Sequence, residues 1–221
     1  MAEYKTSKES RNKILEACKE LFYLHGYKKT TYKDICKKAS SNPGLINYYF
    51  KTKKNIAGTI YGNFFSQIKE KVKIYMLEKY NYYDLQYGTA IEQLIFSKLM
   101  DNNEKIENFY YDIALEGIEY DLEILYYFYK LHVDEYNLGM DEDHIKLIQT
   151  NTIASGIGVT KRVVEGYFNI DKDELFDFRV RSMYNSMGIS NERVDEILKV
   201  SREIYSKMEI KLHDYFIIEI R

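Results

Sequence analysis

Apolar positions recur at helical spacing along nearly the whole chain. Ile14, Leu15, Cys18, Leu21 and Phe22 share one face of a predicted helix that closes at His25-Gly26. Thr6-Ser7-Lys8-Glu9 fits a capping box at its start. Thr31-Tyr32-Lys33-Asp34 opens a second helix over about 32–39, with Ile35, Cys36 and Ala39 inward. After Ser40, Ser41 and Asn42, a short helix over about 43–49 begins at Asn42-Pro43 and offers Leu45, Ile46 and Phe50 for burial. Residues 53–80 carry the stripe Ile56, Ile60, Phe64, Ile68, Val72. Helices follow near 85–100 and 103–116, the second ending at Gly117. Residues 118–136 are apolar almost all round, which predicts a buried helix. Asn137-Leu138-Gly139 breaks it, and further helices are predicted over about 141–168, 172–187 and 191–219. The expected fold is all-α: a three-helix head over 1–52 and a larger helical body over 53–221.

One proline in 221 residues, with eleven glycines, leaves few breakers and favours long helices. That proline, Pro43, is tolerated in a helix's first turn, and Asn42 before it is a good N-cap. The last two head helices, joined by a tight turn, form a helix-turn-helix unit. Such a unit presents the start of its final helix to base edges in the major groove. Gly44 would let backbone approach DNA closely there.

Charge sharpens this picture. Residues 1–56 hold twelve lysines and one arginine against five acids, a net of +8 that leaves −10 for the rest of a chain whose total is −2. A basic block on an acidic body fits a polyanion bound at one end, and by charge alone it fits a solvated lysine-rich face equally. Cys18 and Cys36 form no CxxC pair and no disulfide framework. No apolar run is long enough to span a bilayer, so the expectation is a soluble, cytoplasmic chain with no membrane association.

The run Ile14-Leu15-Glu16-Ala17-Cys18-Lys19-Glu20-Leu21-Phe22, with Gly26-Tyr27, Thr30-Thr31, Asp34-Ile35, Ala39 and Gly44 through Lys53, resembles the DNA-binding domain of TetR-family transcriptional regulators over about 10–56. The resemblance implies an all-helical homodimer on a double-stranded DNA operator, usually a repressor released by a small-molecule effector. It implies phosphate contacts from Thr30, Thr31 and Lys53, and a recognition helix carrying Pro43, Gly44, Asn47 and Tyr48 behind the Asn42 cap. Ser40 and Ser41 stand where the family usually has glycine and an apolar residue. Asn47 stands where an aromatic is common, and asparagine can pair bidentately with adenine. Tyr49 stands where a histidine is common. The resemblance further implies dimerisation through C-terminal helices, here 141–168 and 191–219.

Enzyme signatures are absent. None of the four histidines follows a glutamate at the spacing of a di-iron bundle, and HExxH, GxSxG and P-loop motifs do not occur. No cofactor and no metal site are expected. In the stretch 154–166, Ala154 and Gly158 are small and one turn apart, which predicts close helix packing. Tyrosines at 110, 111, 120, 126, 127 and 129 suggest a body pocket touching Tyr110, Tyr126 and Tyr129, suited to a mostly apolar or aromatic effector. A competing reading is an architectural or activating DNA binder without effector release. An internal cavity would separate the two.

Overall fold

The computed structural model describes residues 2–117 and 121–221. Ten helices run in chain order: α1 Ala2–His25, α2 Tyr32–Ala39, α3 Pro43–Phe50, α4 Lys53–Tyr80, α5 Leu85–Asn102, α6 Glu104–Leu115, α7 Leu122–Glu135, α8 Glu142–Val164, α9 Lys172–Ser186 and α10 Asn191–Tyr205. A hairpin of β1 Ile210–His213 and β2 Ile217–Ile220 follows. The first helix starts upstream of the predicted capping box, and Tyr120 lies outside the described residues.

The head folds as its signals predict. Gly26, at φ +84°, stops α1. Thr31 and Asp34 form a reciprocal capping box on α2. Asn42 caps α3, its Oδ1 accepting from Leu45 N at 3.0 Å, with Pro43 in the first turn. The turn between α2 and α3 closes on Ser40 in the left-handed conformation, φ 49°, a position glycine would occupy without strain. The head does not pack in isolation. One apolar core runs from Ile14, Phe22 and Ile46 through Ile60 and Phe64 of α4 to Phe109 of α6 and Phe216 of the hairpin. A second core joins α5, α7, α9 and α10 around Tyr184, Ile197 and Leu198.

Three expectations change in the body. The helix expected over 191–219 ends at Tyr205. Beyond Ser206, Ile210 and Leu212 of β1 and Ile218 and Ile220 of β2 follow a two-residue period and pack on the core, and β1 pairs antiparallel with β2 from Ile210↔Ile220 to His213↔Ile217. The hairpin seats Phe216 among Tyr23, Phe64 and Phe109, with ring centroids at 5.4, 5.8 and 4.7 Å. A continued helix would have thrown this ring off the body. The remaining α10 buries Val194, Ile197, Leu198 and Ile204 against α5 and α9.

Of the helix expected to be buried over 118–136, the described residues bury only Tyr129, His132 and Val133. Leu122, Ile124 and Tyr127 stand 60%, 67% and 62% exposed, because α8 is its main neighbour. The small residues of α8 also do not pack within the chain. A side chain built on Gly158 would meet nothing within 4 Å, and Ala154 is exposed.

Candidate nucleic-acid interface and body cavity

On α3 the sequence divides two faces cleanly. Ile46 and Phe50 are buried against the head core, with Leu45 and Tyr49 packed beside them. Gly44, Asn47, Tyr48 and Lys51 recur at three- and four-residue spacing and are all exposed, Tyr48 at 69%. This outer face begins at Asn42 and Pro43, also exposed. A side chain added at Gly44 would crowd the Asn42 cap oxygen at 3.1 Å, so glycine serves the cap as well as the open approach. Lys29, Lys33 and Lys37 add exposed positive charge from α2 and the loop before it.

The two threonines before α2 part company. Thr31 is exposed, and its hydroxyl donates to Asp34 Oδ2 at 2.6 Å while accepting from Asp34 N. The Thr31 hydroxyl, together with the Thr31 backbone N–H that donates to the same Oδ2 at 2.9 Å, holds the Asp34 carboxyl below its usual range. Thr30 is buried and its hydroxyl donates to Gly26 O at 2.8 Å. Its side chain therefore ties the α1–α2 loop and faces away from solvent.

Lys53 is also committed inward. Its ammonium donates to the carbonyls of Tyr27 and Thr30, both at 2.9 Å, and lies 4.2 Å over the Tyr27 ring. Burial pulls its pKa down, opposed by Glu116 and Asp112. Its backbone N–H donates to Tyr32 Oη at 2.8 Å. The Tyr27 hydroxyl in turn donates to Glu116 at 2.9 Å. The first turn of α4, the loop before α2 and the end of α6 are thus clasped together.

The same helix α4 walls a partly open cavity of about 870 Å³. Asn55, Thr59, Gly62, Ser66 and Lys69 share one stripe of α4, running ~21 Å along its axis from the clasp into the body. Phe96, Tyr110, Phe128 and Tyr129 supply aromatic wall. Of the three tyrosines expected at a pocket, Tyr110 and Tyr129 line it, and Tyr126 does not, packing instead beside the second core.

The charged groups in this lining were not anticipated, and two of them, Glu92 and Arg179, have buried atoms short of hydrogen-bond partners. Glu92 on α5 is fully buried beside Lys69 and the Tyr83 hydroxyl, yet neither carboxylate oxygen accepts a well-directed hydrogen bond. Lys69 Nζ lies 3.3 Å from Oε2 and over the Phe128 ring at 4.9 Å. Burial raises the Glu92 carboxyl above the usual carboxylate range, against the pull of Lys69. Arg179 on α9 donates from Nη2 to Thr160 Oγ1 at 3.0 Å, while its buried Nε–H has no acceptor. The available signal for Glu92 was a lone acid inside the apolar run 90–95, which a solvated helix face would show as well.

Residues 14–60 match the family model described as bacterial regulatory proteins, tetR family. Over 46 residues the chain is 46% identical to the HTH-type transcriptional regulator QacR of Staphylococcus aureus, a match covering 21% of this chain and 24% of that protein. The chain thus spans about a quarter of that relative's length. A solved structure of RolR in complex with resorcinol is similar over 88% of this chain and 95% of its own, at 14% identity and a TM-score of 0.59. RolR without ligand matches over 85% and 96%, at 11% identity and a TM-score of 0.55. The head accordingly carries the tetR family's sequence pattern, and the body shares the RolR fold.

Proposed function

We propose that this chain is a sequence-specific DNA-binding transcriptional regulator, a repressor that leaves an inverted-repeat operator when a small effector fills its body. The observation that carries the reading is the outer face of α3, with Gly44, Asn47, Tyr48 and Lys51 exposed together within residues 1–56, whose net charge is +8. Residues 1–52 serve as the reading head and 53–221 as the body for effector binding and dimerisation. Asn47 and Tyr48 read bases. Thr31 and the exposed head lysines meet phosphates, and each released counterion steepens the salt dependence. Thr30 and Lys53 act on DNA through the backbone they hold.

Two copies pair through α8. Leu147, Asn151, Ala154 and Gly158 form an exposed stripe there at helical spacing, and exposed Phe178 of α9 extends the apolar surface. The small residues Ala154 and Gly158 would let a partner helix approach closely. The cavity favours a ligand-controlled regulator over an architectural binder. An effector there releases DNA by preferring the conformation that binds operator poorly, and the coupling is reciprocal. The aromatic wall suits a mostly apolar or aromatic effector, and RolR, of similar fold, has been crystallised with resorcinol.

The test is selection of bound duplexes from a random pool, followed by titration at several salt concentrations. Two-fold symmetric sites with half-site centres ~34–36 Å apart, or a multiple of that, are expected. Sites without symmetry would refute the dimeric reading.

A further inference from the structure

Two of the charged groups lining the cavity, Glu92 and Arg179, define what it can hold. This inference rests on reading the cavity as the effector site. Glu92 is fully buried, its charge is already balanced by Lys69 at 3.3 Å, and with the Tyr83 hydroxyl also beside it neither oxygen accepts a well-directed hydrogen bond. A cation placed there would repel Lys69, whereas a neutral hydroxyl or amino donor would complete the carboxylate's hydrogen bonds. Asp101 at the cavity wall is likewise balanced, by Lys172 at 3.1 Å. Arg179 is not: its partner is the neutral Thr160 hydroxyl, its Nε–H is buried without an acceptor, and among the described residues no carboxylate pairs with it. Asp121, also in the lining, accepts from Glu123 N and Ile124 N at the start of α7. Arg179 is thus a lining cation without a carboxylate partner, and Glu92 offers an unfilled acceptor, set among aromatic walls such as Phe96 and Phe128.

We propose that the effector is an aromatic acid bearing a hydroxyl or amino group at its other end, its carboxylate on Arg179 and its donor on Glu92. A planar guanidinium suits a carboxylate, which accepts two parallel bonds from it. An acceptor oxygen remains on Glu92 in either protonation state, so the donor end is recognised in both.

The experiment uses 6-hydroxy-2-naphthoate as probe, followed by its own fluorescence against a chain without tryptophan. Comparison probes are 6-hydroxy-2-naphthamide, 2-naphthoate and the neutral N-phenyl-1-naphthylamine. The hydroxy acid should bind about tenfold to hundredfold tighter than its amide, since a charge-assisted bond replaces a neutral one. Arg179→Met should abolish that preference while leaving the neutral amine bound, and Arg179→Lys should keep part of it. Glu92→Met should abolish the smaller preference for the hydroxy acid over 2-naphthoate. Retained binding of the neutral amine shows that each variant still folds. Equal binding of acid and amide to the unaltered chain, or an acid preference that survives Arg179→Met, overturns the ligand class and leaves the cavity as a binding site. Failure of every naphthyl probe overturns both.

Discussion

Lys53 offers a direct test of whether its ammonium serves DNA or the protein. Lys53→Met keeps the aliphatic stem and removes the charge. The lost contacts are two charge-assisted hydrogen bonds at 2.9 Å, to Tyr27 O and Thr30 O, and a cation 4.2 Å over the Tyr27 ring. Such bonds contribute ~1.5–3 kcal/mol each and the ring contact ~0.5–2. Burial of the ammonium, seen in its depressed pKa, offsets part of this, so a net loss of roughly 2–3 kcal/mol is expected. For a chain of this size that lowers Tm by about 5–10 °C. Operator affinity should fall for all sequences alike, with the slope of log K against log salt unchanged. A phosphate-bound Lys53 predicts the reverse: an unaltered Tm and a slope shallower by ~1.8 for two heads. Thermal melts followed by circular dichroism, with anisotropy titrations on a fluorescent operator, separate the outcomes. An unchanged Tm with a shallower slope would refute the clasp.

Three further outcomes follow from named contacts. Asn47→Ala should relax preference at one base pair of each half-site by ~1–3 kcal/mol without changing Tm, and a uniform loss across sequences would show that Asn47 is not a reader. Burial pushes the His132 imidazole down to about 4, so the folded chain binds fewer protons than the unfolded one. The resulting stability is fully present above pH 6.5 and is lost as pH falls toward 4, by roughly 3 kcal/mol. Glu92, with its raised pKa, works in the opposite sense, so the quantity to compare is the acid limb of denaturant midpoints for His132→Gln against the unaltered chain; identical limbs would dismiss His132 as the cause. Phe216→Ala empties the site between Tyr23, Phe64 and Phe109 and should cost ~3–5 kcal/mol in urea unfolding, and a loss below ~1 would mean the hairpin does not hold head to body.

The sequence determined the elements whose causes are local. Capping groups, Gly26, the Asn42-Pro43 start and a three- to four-residue apolar period act within a turn or two of themselves, so α2, α3 and α4 lie where the pattern puts them. The outer face of α3 was legible for the same reason: burying Ile46 and Phe50 forces Asn47 and Tyr48 outward. Tertiary structure decided what depends on distant partners. Residues 206–221 are apolar enough for a helix, and only the hollow between α1, α4 and α6 makes a hairpin with Phe216 inside the better burial. The apolar perimeter of α7 reads as core, yet burial needs neighbours on all sides, and α7 has them on one. Lys53 and Thr30 look like any basic and hydroxyl side chains beside a phosphate until the carbonyls they bind, 4 to 26 residues away, come within reach. Glu92 and Arg179 face one cavity from helices 87 positions apart, and no periodicity within either helix records that they meet there.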